Sequence, residues 1–194
     1  MSRAVFIDRD GVINEMVPSL EGPDSPRSTA EFRLLPGAAK AIRMLNQIAL
    51  PAVLASNQPG VAKGKVPAAN HEAMTAQMTA ELAAEGAVLD GIYYCMHHPQ
   101  AVLADYRQVC DCRKPKPGLL IQAAEDMALV LTGSYMIGDH PRDIVAGKAV
   151  GCTGILVTSG VSGDSIHDAD HVCRDLLAAV RLIAQLETAA VASQ

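Results

Sequence analysis

Two acids separated by a single residue, Asp8 and Asp10, end an apolar run and enter a glycine turn in Phe6-Ile7-Asp8-Arg9-Asp10-Gly11. Carboxylates that close repel each other unless a cation sits between them. A second pair, Asp139 and Asp143, comes after another apolar run in Met136-Ile137-Gly138-Asp139-His140-Pro141-Arg142-Asp143. Alone, either pair reads as well as a solvated loop. Together, acids gathered from separate segments make an oxygen-rich site suited to magnesium. Val53-Leu54-Ala55 runs into Ser56 and Asn57, a hydroxyl and an amide. Beside a metal, the hydroxyl and nearby backbone N–H groups can hold phosphate oxygens. In Cys112-Arg113-Lys114-Pro115-Lys116-Pro117, prolines restrain a basic pair just before a helix.

A different chemistry is written between these segments. Cys95-Met96-His97 is followed by Cys110-Asp111-Cys112. Cys-x-His with Cys-x-Cys supplies Cys95, His97, Cys110 and Cys112, the four soft ligands of a closed tetrahedral zinc site. With every position taken by protein, such a site is structural, and it would order the loop at about 95–114. His98 is expected to face substrate or solvent. Cys152 and Cys173 stand alone in apolar surroundings and read as small buried hydrophobes.

These groups need a frame that brings them together. Short apolar runs at Ala4–Ile7, Ala52–Ala55, Ile92–Tyr94, Tyr135–Ile137 and Gly154–Val157 read as buried strands. Helices are expected over Gly37–Gln47, Pro67–Glu85, Pro117–Met127, Asp143–Val150 and from about Asp175, fraying over Ala189–Gln194. Alternating strands and helices imply an α/β fold, a three-layer, doubly wound, mostly parallel sheet. Ligands bind beyond the carboxyl ends of such strands, where Asp8, Asp10, Ser56, Asn57 and Asp139 all fall. Glu15–Thr29, rich in Pro, Ser and charge, reads as a functional loop.

The 194 residues fit one domain, 1–194, and 49% of them are apolar, too many for a disordered chain. A net charge of −5 with interspersed signs argues against a nucleic-acid partner. Five cysteines, an odd number, argue against a disulfide framework. The N-terminal apolar run is too short for a signal peptide and no run spans a bilayer. A cytoplasmic monomer acting on a small molecule, with no membrane partner, is the expectation.

In order, Asp8-x-Asp10-Gly11, Ser56, Lys114 and Gly138-Asp139-x-x-x-Asp143 resemble the four motifs of the haloacid-dehalogenase (HAD) superfamily of phosphohydrolases. The resemblance implies Asp8 as nucleophile and Asp10 as general acid, then base. It implies magnesium on the Asp8 carboxylate, the Asp10 backbone carbonyl and Asp139. Ser56 and Lys114 would hold the phosphoryl oxygens, and Asp143 would orient Lys114 or a metal-bound water. Tyr93-Tyr94-Cys95-Met96-His97-His98-Pro99, joined to Cys110-Asp111-Cys112-Arg113-Lys114-Pro115, further resembles the heptose-1,7-bisphosphate 7-phosphatases. These are capless members with a zinc loop that remove the C7 phosphate of D-glycero-D-manno-heptose 1,7-bisphosphate. By that resemblance Asn57 and Arg113 join Lys114 in contacting substrate. The histidinol phosphatases share the motifs but have a shorter loop. Two departures stand out: His140 occupies the usual place of a lysine, and Asn14-Glu15-Met16-Val17-Pro18 replaces a Gly-Tyr-Val stretch. A zinc-stabilised interaction module without catalysis would be expected to lack Asp8 or Asp139, and both are present.

Overall fold

The computed structural model describes residues 2–20, 22–159 and 168–192. Six strands, β1 (Val5–Ile7), β2 (Ala52–Asn57), β3 (Gly91–Cys95), β4 (Tyr135–Gly138), β5 (Thr153–Val157) and β6 (His171–Cys173), form one sheet in the order β3-β2-β1-β4-β5-β6. Every pairing is parallel. Among the described residues, four α-helices lie between consecutive strands, α1 (Ala38–Gln47), α2 (Ala68–Ala84), α3 (Gly118–Met127) and α4 (Pro141–Lys148), and α5 (Leu176–Ala192) follows β6.

A parallel sheet covered on both faces needs strands that are apolar on both, and β1 is buried throughout. Val5 and Ile7 point into a core built with α1, α2 and α5, whose Ile42, Met74, Met78 and Val180 join it. Phe6 points the other way, into a second core with Leu119, Leu120 and Ala123 of α3. Fully burying a side chain of that size contributes roughly 1.5–3 kcal/mol. The three layers expected from the sequence are present, and among the described residues no separate cap domain interrupts them.

The register sets the site. Ile7 lies level with Leu54 of β2 and with Ile137 of β4, and the Asp8 N–H donates to the Ile137 carbonyl at 3.0 Å. The strand order reverses at β1, so the loops after β1, β2 and β4 open around one crevice at the carboxyl edge.

Several expectations are corrected. Strand β6 has no counterpart among the expected strands, and it puts Cys173 in a half-buried edge position, not in the core. Helix α4 begins at Pro141, two residues before Asp143, because His140 caps it: its Nδ1 accepts from the Arg142 N–H at 3.2 Å, while Asp143 accepts from the His140 N–H. Helix α5 runs on to Ala192 instead of fraying from Ala189; Ser193 and Gln194 lie outside the described residues. The Glu15–Thr29 segment, in which Glu21 is not described, folds back on itself, with Val17 and Asp24 exchanging backbone hydrogen bonds at 2.8 and 2.9 Å.

Candidate active site

Asp8 comes directly after β1, Asp139 directly after β4, and Asp143 sits in the first turn of α4. One carboxylate oxygen from each lies within 4.8 Å of the others. Gly138 makes this possible, since a Cβ there would collide with the side chain of Asp143. Lys114 supplies one positive charge among them. Its Nζ lies 3.1 Å from Asp8 Oδ1 and 2.7 Å from Asp143 Oδ1, and donates to the Ala55 carbonyl at 2.7 Å. Burial alone would lower the Lys114 ammonium, but Asp143 and Asp8 outweigh it and hold the group above its ordinary range.

One lysine does not balance three acids. Burial, then Asp8 and Asp143, push the Asp139 carboxyl up to about 7. An oxygen cluster with surplus negative charge at a sheet edge fits a divalent cation.

Asp10 stands apart from that group. Its Oδ1 accepts from Arg9 Nε and Nη2 at 3.1 and 3.0 Å and from Asn14 Nδ2 at 3.0 Å. Its Oδ2 accepts from Gln58 Nε2 at 2.7 Å and from Ser25 Oγ at 2.8 Å. Burial favours the protonated form, but Arg9 and these donors prevail and hold the carboxyl below its usual range. Arg9, 1% exposed, is the hub, also donating to Gln58 Oε1 at 2.8 Å and lying 5.9 Å from the centre of the Tyr94 ring.

The remaining sequence candidates fall around these two groups, with some changes of duty. Ser56 is buried, and its hydroxyl accepts from Gln58 Nε2 at 3.2 Å. The Asn57 amide clamps the backbone of Lys114, donating to its carbonyl and accepting from its N–H, both at 3.0 Å. Arg113 donates to the His97 carbonyl at 3.3 Å. A cavity of about 240 Å³ is lined by Asp8, Asp10, Asn57, Arg113 and Asp139, and also by Lys63 and Arg142. Ser25, Gln58, Arg9, Lys63 and Arg142 are not among the sequence candidates. Arg9 carries a local signal, a cation set between two clustered acids, and Ser25 falls within the Glu15–Thr29 loop that the sequence marks as functional.

The four predicted soft ligands converge at one end of β3. Cys112 Sγ lies 3.2 Å from Cys95 Sγ, 3.3 Å from Cys110 Sγ and 3.3 Å from His97 Nδ1. Cys95 and Cys110 sulfurs are 3.6 Å apart. A disulfide would need about 2.05 Å; tetrahedral ligands at about 2.3 Å from zinc stand a little under 4 Å from each other. The donor set and its closure fit zinc. Gly118 docks this loop on α3: its N–H donates to the Asp111 carbonyl, and a Cβ there would collide with that oxygen. His98 uses its Nδ1 to accept from the Gln100 N–H at 3.1 Å.

Behind Arg9, His71 of α2 packs edge-on to Tyr94 with ring centres 4.6 Å apart. Burial, then Arg9, lowers its imidazole to about 4. A folded value below the unfolded one favours the neutral ring, so the contribution is complete above about 6.5 and is lost as pH falls towards 4. Melting temperature should therefore fall more steeply between pH 6.5 and 4 in the wild type than in His71→Phe. Equal slopes would show that His71 is not protonated on unfolding in this window.

Residues 111–179 match the HAD-hydrolase-like family model. The D-glycero-beta-D-manno-heptose-1,7-bisphosphate 7-phosphatase of Salmonella typhi is 39% identical over 176 residues, covering 89% of this chain and 90% of the relative. The enzyme of that name from Pasteurella multocida strain Pm70 is 34% identical over 191 residues, covering 97% and 100%. The chain is also similar to the crystal structure of D,D-heptose 1,7-bisphosphate phosphatase from B. bronchiseptica complexed with magnesium and phosphate. The TM-score is 0.79 and the identity 33%, covering 94% of this chain and 98% of that one.

Proposed function

The chain belongs to the heptose-1,7-bisphosphate 7-phosphatase family of HAD-like hydrolases, and from that premise we propose that it removes the C7 phosphate of D-glycero-D-manno-heptose 1,7-bisphosphate through a phosphorylated Asp8. The convergence of Asp8, Asp139, Asp143 and Lys114 at one strand edge carries this reading.

Asp8 Oδ1 is engaged by Lys114 Nζ and by the Arg9 N–H at 2.8 Å. That leaves Oδ2 to attack phosphorus, forming the acyl phosphate as the bond to the sugar oxygen breaks. Lys114, held by Asp143 and by the Asn57 clamp on its backbone, steadies charge on the phosphoryl oxygens. Magnesium on the Asp8 and Asp139 carboxylates and the Asp10 carbonyl supplies further positive charge to those oxygens when bound.

Asp10 gives the departing sugar oxygen its proton and then takes one from the water that hydrolyses the acyl phosphate. A positioned acid–base group of this kind contributes roughly 10²–10⁴-fold. Arg9 and its neighbours favour the charged carboxylate, which suits the second half-reaction; an incoming phosphate dianion opposes them and raises the protonated fraction for the first. Zinc, bound by Cys95, His97, Cys110 and Cys112, would order the loop that carries Arg113 and Lys114.

Phosphate release measured with both anomers of the heptose bisphosphate and with histidinol phosphate tests the substrate. The highest kcat/KM is expected for a heptose anomer. Values favouring histidinol phosphate over both anomers would sink the substrate assignment and leave the phosphatase mechanism standing.

A further inference from the structure

We propose that Arg142, together with Lys63, holds the phosphate of the substrate that is not cleaved, and so sets the preference for a bisphosphate. This rests on the sugar-bisphosphate reading and adds residues that neither the motifs nor the resemblance assigns.

The cavity that exposes Asp8, Asp10 and Asp139 is lined by three cations: Lys63 from the loop after β2, Arg113 from the Cys–His loop and Arg142 from the first turn of α4. Arg113 and Arg142 lie close enough for their charges to oppose each other. Among the described residues, the guanidinium of Arg142 makes no hydrogen bond or ion pair within 4 Å, and its Nε is buried without a partner. A guanidinium donor withdrawn from water and left unpaired is unfavourable. Asp139 and Asp143 feel the Arg142 charge but neither bonds its guanidinium, so an anion bound beside Arg142 would give that donor a partner and offset the repulsion from Arg113. Arg113 is engaged in part, donating to the His97 carbonyl; the Lys63 ammonium makes no hydrogen bond or ion pair among the described residues, and its charge is felt by His98. A planar guanidinium with free N–H groups matches a phosphate through paired hydrogen bonds, and an ammonium nearby adds a point charge.

His140 does not compete for this duty. Its Nδ1 accepts the Arg142 N–H, which requires an unprotonated nitrogen there and spends the ring on capping α4. The same hydrogen bond fixes where the Arg142 backbone leaves the loop.

The test compares heptose 1,7-bisphosphate with heptose 7-phosphate, which share the cleaved group and differ only in the second phosphate. In the wild type, kcat/KM should favour the bisphosphate. Arg142→Gln should reduce that ratio at least tenfold, chiefly through KM for the bisphosphate, and Arg142→Lys should restore part of it. Lys63→Ala should reduce the ratio in the same direction. A ratio unchanged in Arg142→Gln overturns the proposal. So does an equal loss on both substrates, which would place Arg142 in support of Asp139. A wild type indifferent to the second phosphate would overturn the bisphosphate reading along with it, whereas a preference retained by the variant would overturn this proposal alone.

Discussion

An Asp8→Asn variant is expected to fold normally and to lose turnover by roughly 10⁴-fold or more, the scale seen when a covalent nucleophile is removed. An amide at this position cannot form the acyl phosphate. The fold survives because Asp8 is one of three clustered acids and Lys114 keeps Asp143 at 2.7 Å when Asp8 loses its charge. Removing one acid should also relieve its neighbour. In metal-free protein the Asp139 carboxyl, at about 7 with Asp8 charged beside it, should titrate lower in the variant, which carboxyl carbon shifts in NMR would report. Turnover within tenfold of wild type would remove Asp8 from the nucleophile's role.

The second large effect concerns the sulfur cluster. Zinc should co-purify at about one per chain, and Cys112→Ser should bring it close to zero, as read by metal analysis. Structural zinc binding is worth about 10–16 kcal/mol in small peptides, against about 5–15 kcal/mol for the stability of a whole domain. A drop in melting temperature is therefore expected. Activity should fall with it, although no sulfur touches the reacting group: Cys112 leads directly into Arg113 and Lys114, and Lys114 Nζ bridges Asp8 and Asp143. Protein prepared without chelators that carries no zinc or other metal at these residues would refute the four-ligand assignment.

Both predictions start from residues that the sequence marks by type and spacing. Asp8, Asp139 and Ser56 are legible because each ends or succeeds a short apolar run, and a parallel sheet gathers the residues at its strands' carboxyl ends along one edge. The four metal-type ligands are legible because two tight pairs of soft donors are rare by chance. Strand β6 is not legible. His171-Val172-Cys173 is too short for an apolar run, and it belongs to the sheet only because β5 offers it an open edge.

What the sequence determined by itself was local: which side chains stand at strand ends and which donors can share a metal. Tertiary structure decided how those groups divide their bonds. It turned the Asn57 amide onto the Lys114 backbone, gave the Asp10 carboxylate to Arg9, Asn14, Gln58 and Ser25, and brought Arg142 to the cavity wall. The physical reason is that a hydrogen bond or ion pair depends on where two side chains end in space. Residues 10 and 25, or 57 and 114, meet only after the sheet has set the level of its strand ends and the loops have closed around them. A strand end is a property of a few neighbouring residues, whereas a bonding partner is a property of the whole packed chain.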